Sequence, residues 1–241
     1  IHLQSPTSLS SVLELSHKFK EDGISRSENI TLCSVTSSGV PLLTLSNGFG
    51  YLYNKDFGAW QTVSESWWAF GSHYWDSVGD GLSNQSGLSS LLKNNRSSIV
   101  NLLEQKTNEE ILRKSRTGRG KYFNKISKNM IMKEGFENLE NTISLSHLEN
   151  RILCCELLQE EHDFKDYFLA YAKRISELSL KAKLFELCSG LLGKGDEQVC
   201  GHNRKDLLKE VVLSCAKHRD VQRILLHFAK KIDLVVPEIE M

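Results

Sequence analysis

Residues 41–53, PLLTLSNGFGYLY, have the pattern of a β-hairpin. The large side chains on both sides of a central Asn-Gly recur at every second position, as in paired strands. These residues are Leu43, Leu45, Tyr51 and Tyr53. Asn-Gly tolerates the positive φ angles that a tight turn requires. We predict a hairpin here, inside a segment of three or four short strands that runs from Glu28 to Val63.

The remainder of the chain has helical periodicity. We predict a short helix over residues 5–20, a helix over 87–113, and five helices with short connections in the last hundred residues, the first capped by Ser144. The predicted fold class is α+β and mostly α, with a small antiparallel sheet followed by antiparallel helical hairpins. We divide the chain into an N-terminal helix and sheet unit at 1–63, a Trp-rich and basic connecting region at 64–142, and a helical region at 143–241, and we expect the three to form one compact domain.

Composition excludes several classes of protein. Thirty basic and thirty acidic residues give a net charge of zero, which disfavours a surface that grips nucleic acid throughout. No apolar run reaches the roughly 18–20 residues of a membrane span. The chain starts at Ile1 with no initiator Met and no signal-peptide pattern, so we expect a fragment of a longer, non-secreted protein. Six scattered cysteines favour free thiols in a reducing compartment.

Motifs of catalysis and cofactor binding are missing from the sequence. The Gly48-Phe49-Gly50 stretch precedes a strand, whereas a phosphate-binding loop precedes a helix. No zinc-type His-Glu-x-x-His or paired Cys-x-x-Cys occurs. We therefore predict no enzyme, no cofactor and no metal. The competing hypothesis of a thiol or zinc site would use Cys188, Cys200 and His202.

Two aromatic groups are candidate contact surfaces for another protein chain, because Trp and Tyr are enriched among interface hot spots. The first group is Trp60, Trp67, Trp68 and Trp75. The second forms a broad face on one predicted helix and consists of Phe164, Tyr167, Phe168 and Tyr171. The alternative is that both groups pack inside the protein.

Four blocks of sequence resemble the C-terminal domain of the HIRA/Hir family of histone-chaperone and corepressor subunits. They are Leu42 to Gly48, Leu148 to Asn150, Tyr167 to Ala172 and Arg204 to Glu210. The resemblance covers about the last 200 residues, although 64–140 match only loosely. The Asn-, Ser- and Lys-rich, Pro-poor composition suggests a fungal member.

The resemblance implies a nuclear scaffold domain with no catalytic residues. Family members deposit histones H3–H4 independently of replication and repress histone genes. Their C-terminal domain trimerises, with itself or a paralogous subunit, and docks the large helical-repeat subunit of the complex. Histone contact lies outside this domain in the family, so H3–H4 are expected to be indirect partners.

Contact with nucleic acid is the alternative function, and it depends on a basic stretch that we predict to be an exposed loop. Its charged residues are Arg113, Lys114, Arg116, Arg119 and Lys121. If the loop tracks phosphates, replacing these five residues with Ser abolishes DNA binding at low salt together with its salt dependence. A mobility-shift titration at several salt concentrations checks this, and a wild-type domain that binds no DNA at low salt contradicts the alternative.

Overall fold

The structure, a computed structural model, describes residues 29–46, 48–65, 68, 71–74, 99–116, 136–193 and 198–232. The chain divides into two units, Ile1–Ser144 and Leu145–Met241, which we call the sheet unit and the helical unit. Within the described residues a four-stranded antiparallel sheet precedes a mostly helical remainder, which confirms the predicted α+β fold class.

The sheet is a meander of neighbouring strands. Its strands are β1 (Ile30–Val35), β2 (Pro41–Leu45), β3 (Gly50–Asn54) and β4 (Ala59–Ser64), paired in that order. The predicted hairpin joins β2 to β3, with Leu43 opposite Tyr51. Its turn has Gly48 at φ +88°, and the Gly48 amide donates a hydrogen bond to the Leu45 carbonyl over 3.0 Å. A residue without Cβ adopts this φ without strain.

The inner face of the sheet packs on helix α1 (Ile99–Arg116). Leu52 of β3 and Leu103 of α1 are fully buried. At Gly50 a Cβ would lie 3.3 Å from the Ser64 Cβ on the paired strand β4 and 3.8 Å from the Leu103 Cβ on α1, so glycine leaves room where the sheet meets the helix. The Ser64 and Thr107 hydroxyls share a buried hydrogen bond of 2.6 Å. Helix α1 therefore covers this face through both apolar and polar contacts.

The outer face of the sheet carries a cross-strand row of apolar and aromatic side chains. Val35 pairs with Pro41, and Tyr53 pairs with Trp60. The β2–β3 register places Pro41 beside Tyr53, so all four residues share one face. The Tyr53 and Trp60 rings meet edge to face with 5.5 Å between centroids. We call this set the outer row.

Five helices and a very short hairpin make up the described part of the helical unit, and α2 begins before the division between the units. The helices are α2 (Phe136–Leu158), α3 (Glu161–Glu177), α4 (Lys181–Leu192), α5 (Arg204–Cys215) and α6 (Gln222–Lys231). Strands β5 (Gln198–Val199) and β6 (His202–Asn203) join α4 to α5, and a 3-10 turn at Arg219–Val221 precedes α6. The five predicted helices are confirmed.

Helix boundaries differ from the sequence predictions at two places. Helix α2 begins at Phe136 and not at Ser144, which is fully buried within it. The Ser144 hydroxyl accepts a hydrogen bond from the His73 amide over 2.9 Å, so it serves a distant segment and does not cap a helix. Helix α1 extends to Arg116, beyond the predicted end at 113. The predicted helix over 5–20 and residues 87–98 lie outside the described residues.

Candidate partner-binding surfaces

The second aromatic group lies inside the helical unit. The side chains of Phe164, Tyr167, Phe168 and Tyr171 are all buried. The Phe164 and Phe168 rings stack with 5.6 Å between centroids. The guanidinium of Arg151 lies 5.2 Å from the centroid of the Tyr167 ring. These rings form part of the core, and their role in subunit contact stays a prediction.

Two of these rings, Phe168 and Tyr171, also line a cleft of about 430 Å³ within the helical unit. The cleft is lined by residues of α2, α3, α4, β5 and α5, which are Glu149, Phe168, Tyr171, Lys183, Glu186, Leu187, Gly190, Leu191, Val199 and Arg204. Its volume falls in the range of about 300–1,000 Å³ that is usual for ligand sites. The cleft therefore combines an apolar lining with four charged residues.

The β5–β6 hairpin determines where α5 starts and therefore where Arg204 lies. The His202 ring donates a hydrogen bond from Nε2 to the Glu161 carbonyl over 2.7 Å, which attaches the hairpin to the start of α3. Asn203 then caps α5, its Oδ1 accepting from the Lys205 and Asp206 amides. Such a cap satisfies two of the amide groups that a helix start leaves without partners. Arg204 is thereby fixed as the first residue of α5.

Arg204 reaches from α5 to the end of α4. Its Nη1 donates a hydrogen bond to the Gly190 carbonyl over 2.8 Å. This carbonyl belongs to the last turn of α4 and also accepts a longer hydrogen bond, 3.4 Å, from the Gly193 amide. The Arg204 Nε is buried and has no hydrogen-bond partner. In the sequence Arg204 stands out only as the first residue of a family block, and its position in the cleft was not predicted.

A three-residue polar cluster lies at another part of the cleft lining. Glu149 Oε1 accepts from the Tyr171 hydroxyl over 2.6 Å and from Lys183 Nζ over 2.7 Å. Burial and this hydrogen bond raise the pKa of Tyr171, so its hydroxyl remains a donor at neutral pH. The positive charge of Lys183 is consequently balanced by Glu149.

The tryptophans have different environments. Trp60 is half-buried in the outer row, whereas Trp68 is buried with 5% of its surface exposed. Trp67 and Trp75 lie outside the described residues. At the β1 end of the same row, Val35 is 61% exposed. The outer row is thus a partly exposed apolar surface of the sheet unit, and Trp60 in it also packs against Leu43 and Leu45, which are buried on the same face.

The basic stretch begins in a helix, which corrects the prediction of a loop starting at residue 113. Arg113, Lys114 and Arg116 belong to the last turns of α1. Helical periodicity fades in this polar sequence although the helix continues. Arg119 and Lys121 lie outside the described residues. A nucleic-acid role for these five residues stays a prediction.

The candidate thiol and zinc residues make other contacts. Cys200 Sγ donates to the Cys155 carbonyl over 3.6 Å, and Cys188 is fully buried on α4. Burial raises the pKa of Cys188 to about 12 and, with nearby glutamates, that of Cys200 to about 11. Among the described residues, no group of three His, Cys, Asp or Glu side chains is arranged to hold a metal ion. No helix in this part of the chain is long and apolar enough to cross a membrane.

Comparison with known proteins relates the chain to one family. Residues 2–191 match the sequence model of the Hira family, described as TUP1-like enhancer of split. The chain is 66% identical to Protein HIR2 of Debaryomyces hansenii over 98% of its length, and 38% identical to Protein HIR2 of Saccharomyces cerevisiae over 93%. These alignments cover 25% and 28% of the two relatives, so the chain spans about a quarter of their length.

A solved structure has a similar fold. The crystal structure of HIRA(644-1017) aligns with a TM-score of 0.60 over 89% of this chain and 58% of that chain. Sequence identity in this alignment is 19%. The likeness therefore concerns the fold alone.

The environments of the cysteines predict which thiol reacts in the folded protein. Cys33 is exposed on β1, whereas the other five cysteines are buried. Because the thiolate is the reactive form and burial raises the pKa of Cys155, Cys188 and Cys200, brief alkylation at pH 8 of highly diluted protein, in which chains do not associate, should modify Cys33 first. Peptide mass spectrometry, with a denatured sample as control, measures this order. Rapid labelling of Cys188 or Cys200 in the folded protein would contradict it and favour a thiol-dependent activity.

Proposed function

Because this chain belongs to the Hira family, we propose that it is a non-enzymatic assembly domain of a nuclear histone-chaperone and corepressor subunit. The domain self-associates, as a trimer with itself or with a paralogous subunit, and docks a large helical-repeat subunit of the same complex. Histones H3–H4 are reached indirectly, through other parts of that complex. The domain thus acts by holding polypeptides together.

The outer row is the observation that carries the proposal of self-association. Three of its members, Pro41, Tyr53 and Trp60, are half-buried after folding, and the fourth, Val35, is largely exposed. Trp and Tyr provide large contact areas at low cost in side-chain entropy, which is why they recur at the centres of interfaces. Strand pairing fixes the row before any partner arrives. A pre-ordered surface of this kind favours association.

The edge strand next to this row supports the same proposal. Strand β1 pairs only with β2 in the described sheet, and Ile30 at its start is 54% exposed. The sequence of β1, ITLCSV, contains neither a charge nor a proline. Soluble proteins usually protect an edge strand with one of these features or by covering it. An uncharged edge beside an apolar row is consistent with burial against another chain.

Charge placed on the outer row should dissociate the oligomer. We expect wild-type protein to elute with the mass of a trimer, three times the 27.3 kDa of one chain, and Val35→Glu to elute as a monomer. Burying an unpaired carboxylate in an interface costs several kcal/mol, whereas Val35 contributes little to the folded monomer because it is exposed. Size exclusion with light scattering at several concentrations measures the mass.

The matched control is Leu213→Glu, which adds the same charge at a similarly exposed position, 54%, on α5 of the helical unit. It should leave the mass unchanged. A wild-type monomer at all concentrations would contradict self-association. Dissociation by Leu213→Glu without dissociation by Val35→Glu would move the interface to the helical unit.

A further inference from the structure

We propose that the cleft of the helical unit binds an Asp or Glu side chain of a partner polypeptide, together with a large apolar side chain of the same segment. This inference rests on the proposed docking function, because it specifies the chemistry of a docked segment. The cleft lies within one unit and uses residues from four helices and one strand. All residues of this site therefore belong to the helical unit.

Arg204 supplies the polar half of the site. Its Nη1 is occupied by the Gly190 carbonyl, which orients the guanidinium plane. Its Nε is buried without a hydrogen-bond partner, and Nε lies on the same edge of the guanidinium as Nη2. A carboxylate accepts two parallel hydrogen bonds from such an edge. Leaving a buried donor of a charged group unpaired is costly, so the site favours a ligand that accepts there.

The apolar half of the site is formed by α3, α4 and β5. Phe168, Leu187, Leu191 and Val199 contribute apolar side chains to the lining. Gly190 adds no side chain, and a Cβ at this position would have no heavy atom within 4 Å. The open space beside Gly190 and the volume of about 430 Å³ admit a large aliphatic or aromatic side chain. Arg204 bonds to this same glycine, so the polar and apolar parts of the ligand must be close together.

The other charged residues of the lining restrict the sequence of the ligand. Lys183 is paired with Glu149 at 2.7 Å, which leaves Glu186 as the remaining negative charge. Glu186 precedes Gly190 by one helical turn on α4. A second acidic residue in the bound segment would be repelled there. The site thus selects a segment with one acidic residue beside its apolar anchor over a uniformly acidic one.

Panning a phage-displayed library of random dodecapeptides against the full chain tests this specificity. We expect enriched peptides to share an apolar residue with an adjacent Asp or Glu. Synthetic peptides of the enriched sequences are then titrated by fluorescence anisotropy. Replacing the acidic residue with its amide should weaken binding about ten- to hundredfold, the range for two charge-assisted hydrogen bonds.

Variants of the protein assign the effect to Arg204. Arg204→Gln should weaken peptide binding by the same factor as the peptide amide substitution. Arg204→Lys keeps a donor for the Gly190 carbonyl but loses the two-donor edge, so it should remain folded and bind weakly. The matched control is Lys205→Gln, an exposed neighbour outside the cleft lining, which should bind within about twofold of wild type. Thermal unfolding of each variant separates lost folding from lost binding.

The possible outcomes distinguish this inference from the proposed self-association. Peptides without acidic residues, equal binding by Arg204→Lys and wild type, or no enrichment at all would overturn the inference. A monomeric mass for Arg204→Lys in light scattering would also overturn it, because the occupant would then be a second copy of the chain. Failure of self-association in wild type, with peptide binding intact, would refute only the trimer proposal.

Discussion

The register of β2 against β3 determines which side chains of the sheet reach α1 and which remain on the outer face. Leu42 lies opposite Leu52, and Leu43 lies opposite Tyr51. Because successive side chains of a strand point to opposite faces, a shift by one residue would exchange the two sets. It would move Leu52 away from α1 and turn Tyr53 towards it. The turn at Gly48 holds this register, so both the core of the sheet unit and the outer row depend on it.

Hydrogen bonds at two helix ends hold Arg204 at the cleft of the helical unit. The end of α4 has carbonyls without helical partners, and the start of α5 has amides without partners. Arg204 bonds to the Gly190 carbonyl, and Asn203 caps α5. Both contacts complete helix ends, and together they hold the guanidinium of Arg204 at the cleft. A residue that first completes the fold is thereby placed to bind a ligand with its remaining edge.

Local periodicity was sufficient to predict the hairpin and the five C-terminal helices, because each depends on residues close in sequence. Ser144 could not be assigned correctly in this way, since a capping serine and one that bonds a distant amide such as that of His73 have the same local pattern. The spacing of Phe164, Tyr167, Phe168 and Tyr171 predicts an aromatic face. Spacing alone does not determine which neighbours cover that face.

For a similar reason, the cleft could not be predicted from the sequence. It requires α2, α3, α4, α5 and β5 to converge, and the contact between Arg204 and Gly190 joins residues fourteen positions apart across a hairpin. The sequence gives an indirect signal for the position of Arg204: Asn203, a residue type that favours helix caps, stands directly before the family block that begins at Arg204. Family likeness supports the proposed assembly role more directly than any motif, because a scaffold surface has no fixed constellation of catalytic residues.

Hydrogen exchange of the domain, compared between its associated and fully diluted states, tests the central claim of assembly through the sheet unit. The account predicts that amides of β1, residues 30–35, and of β4, residues 59–64, exchange more slowly in the associated state. Amides of α3 to α5 should exchange equally in both states. Slowing confined to the helical unit, with unchanged exchange in β1 and β4, would contradict the account.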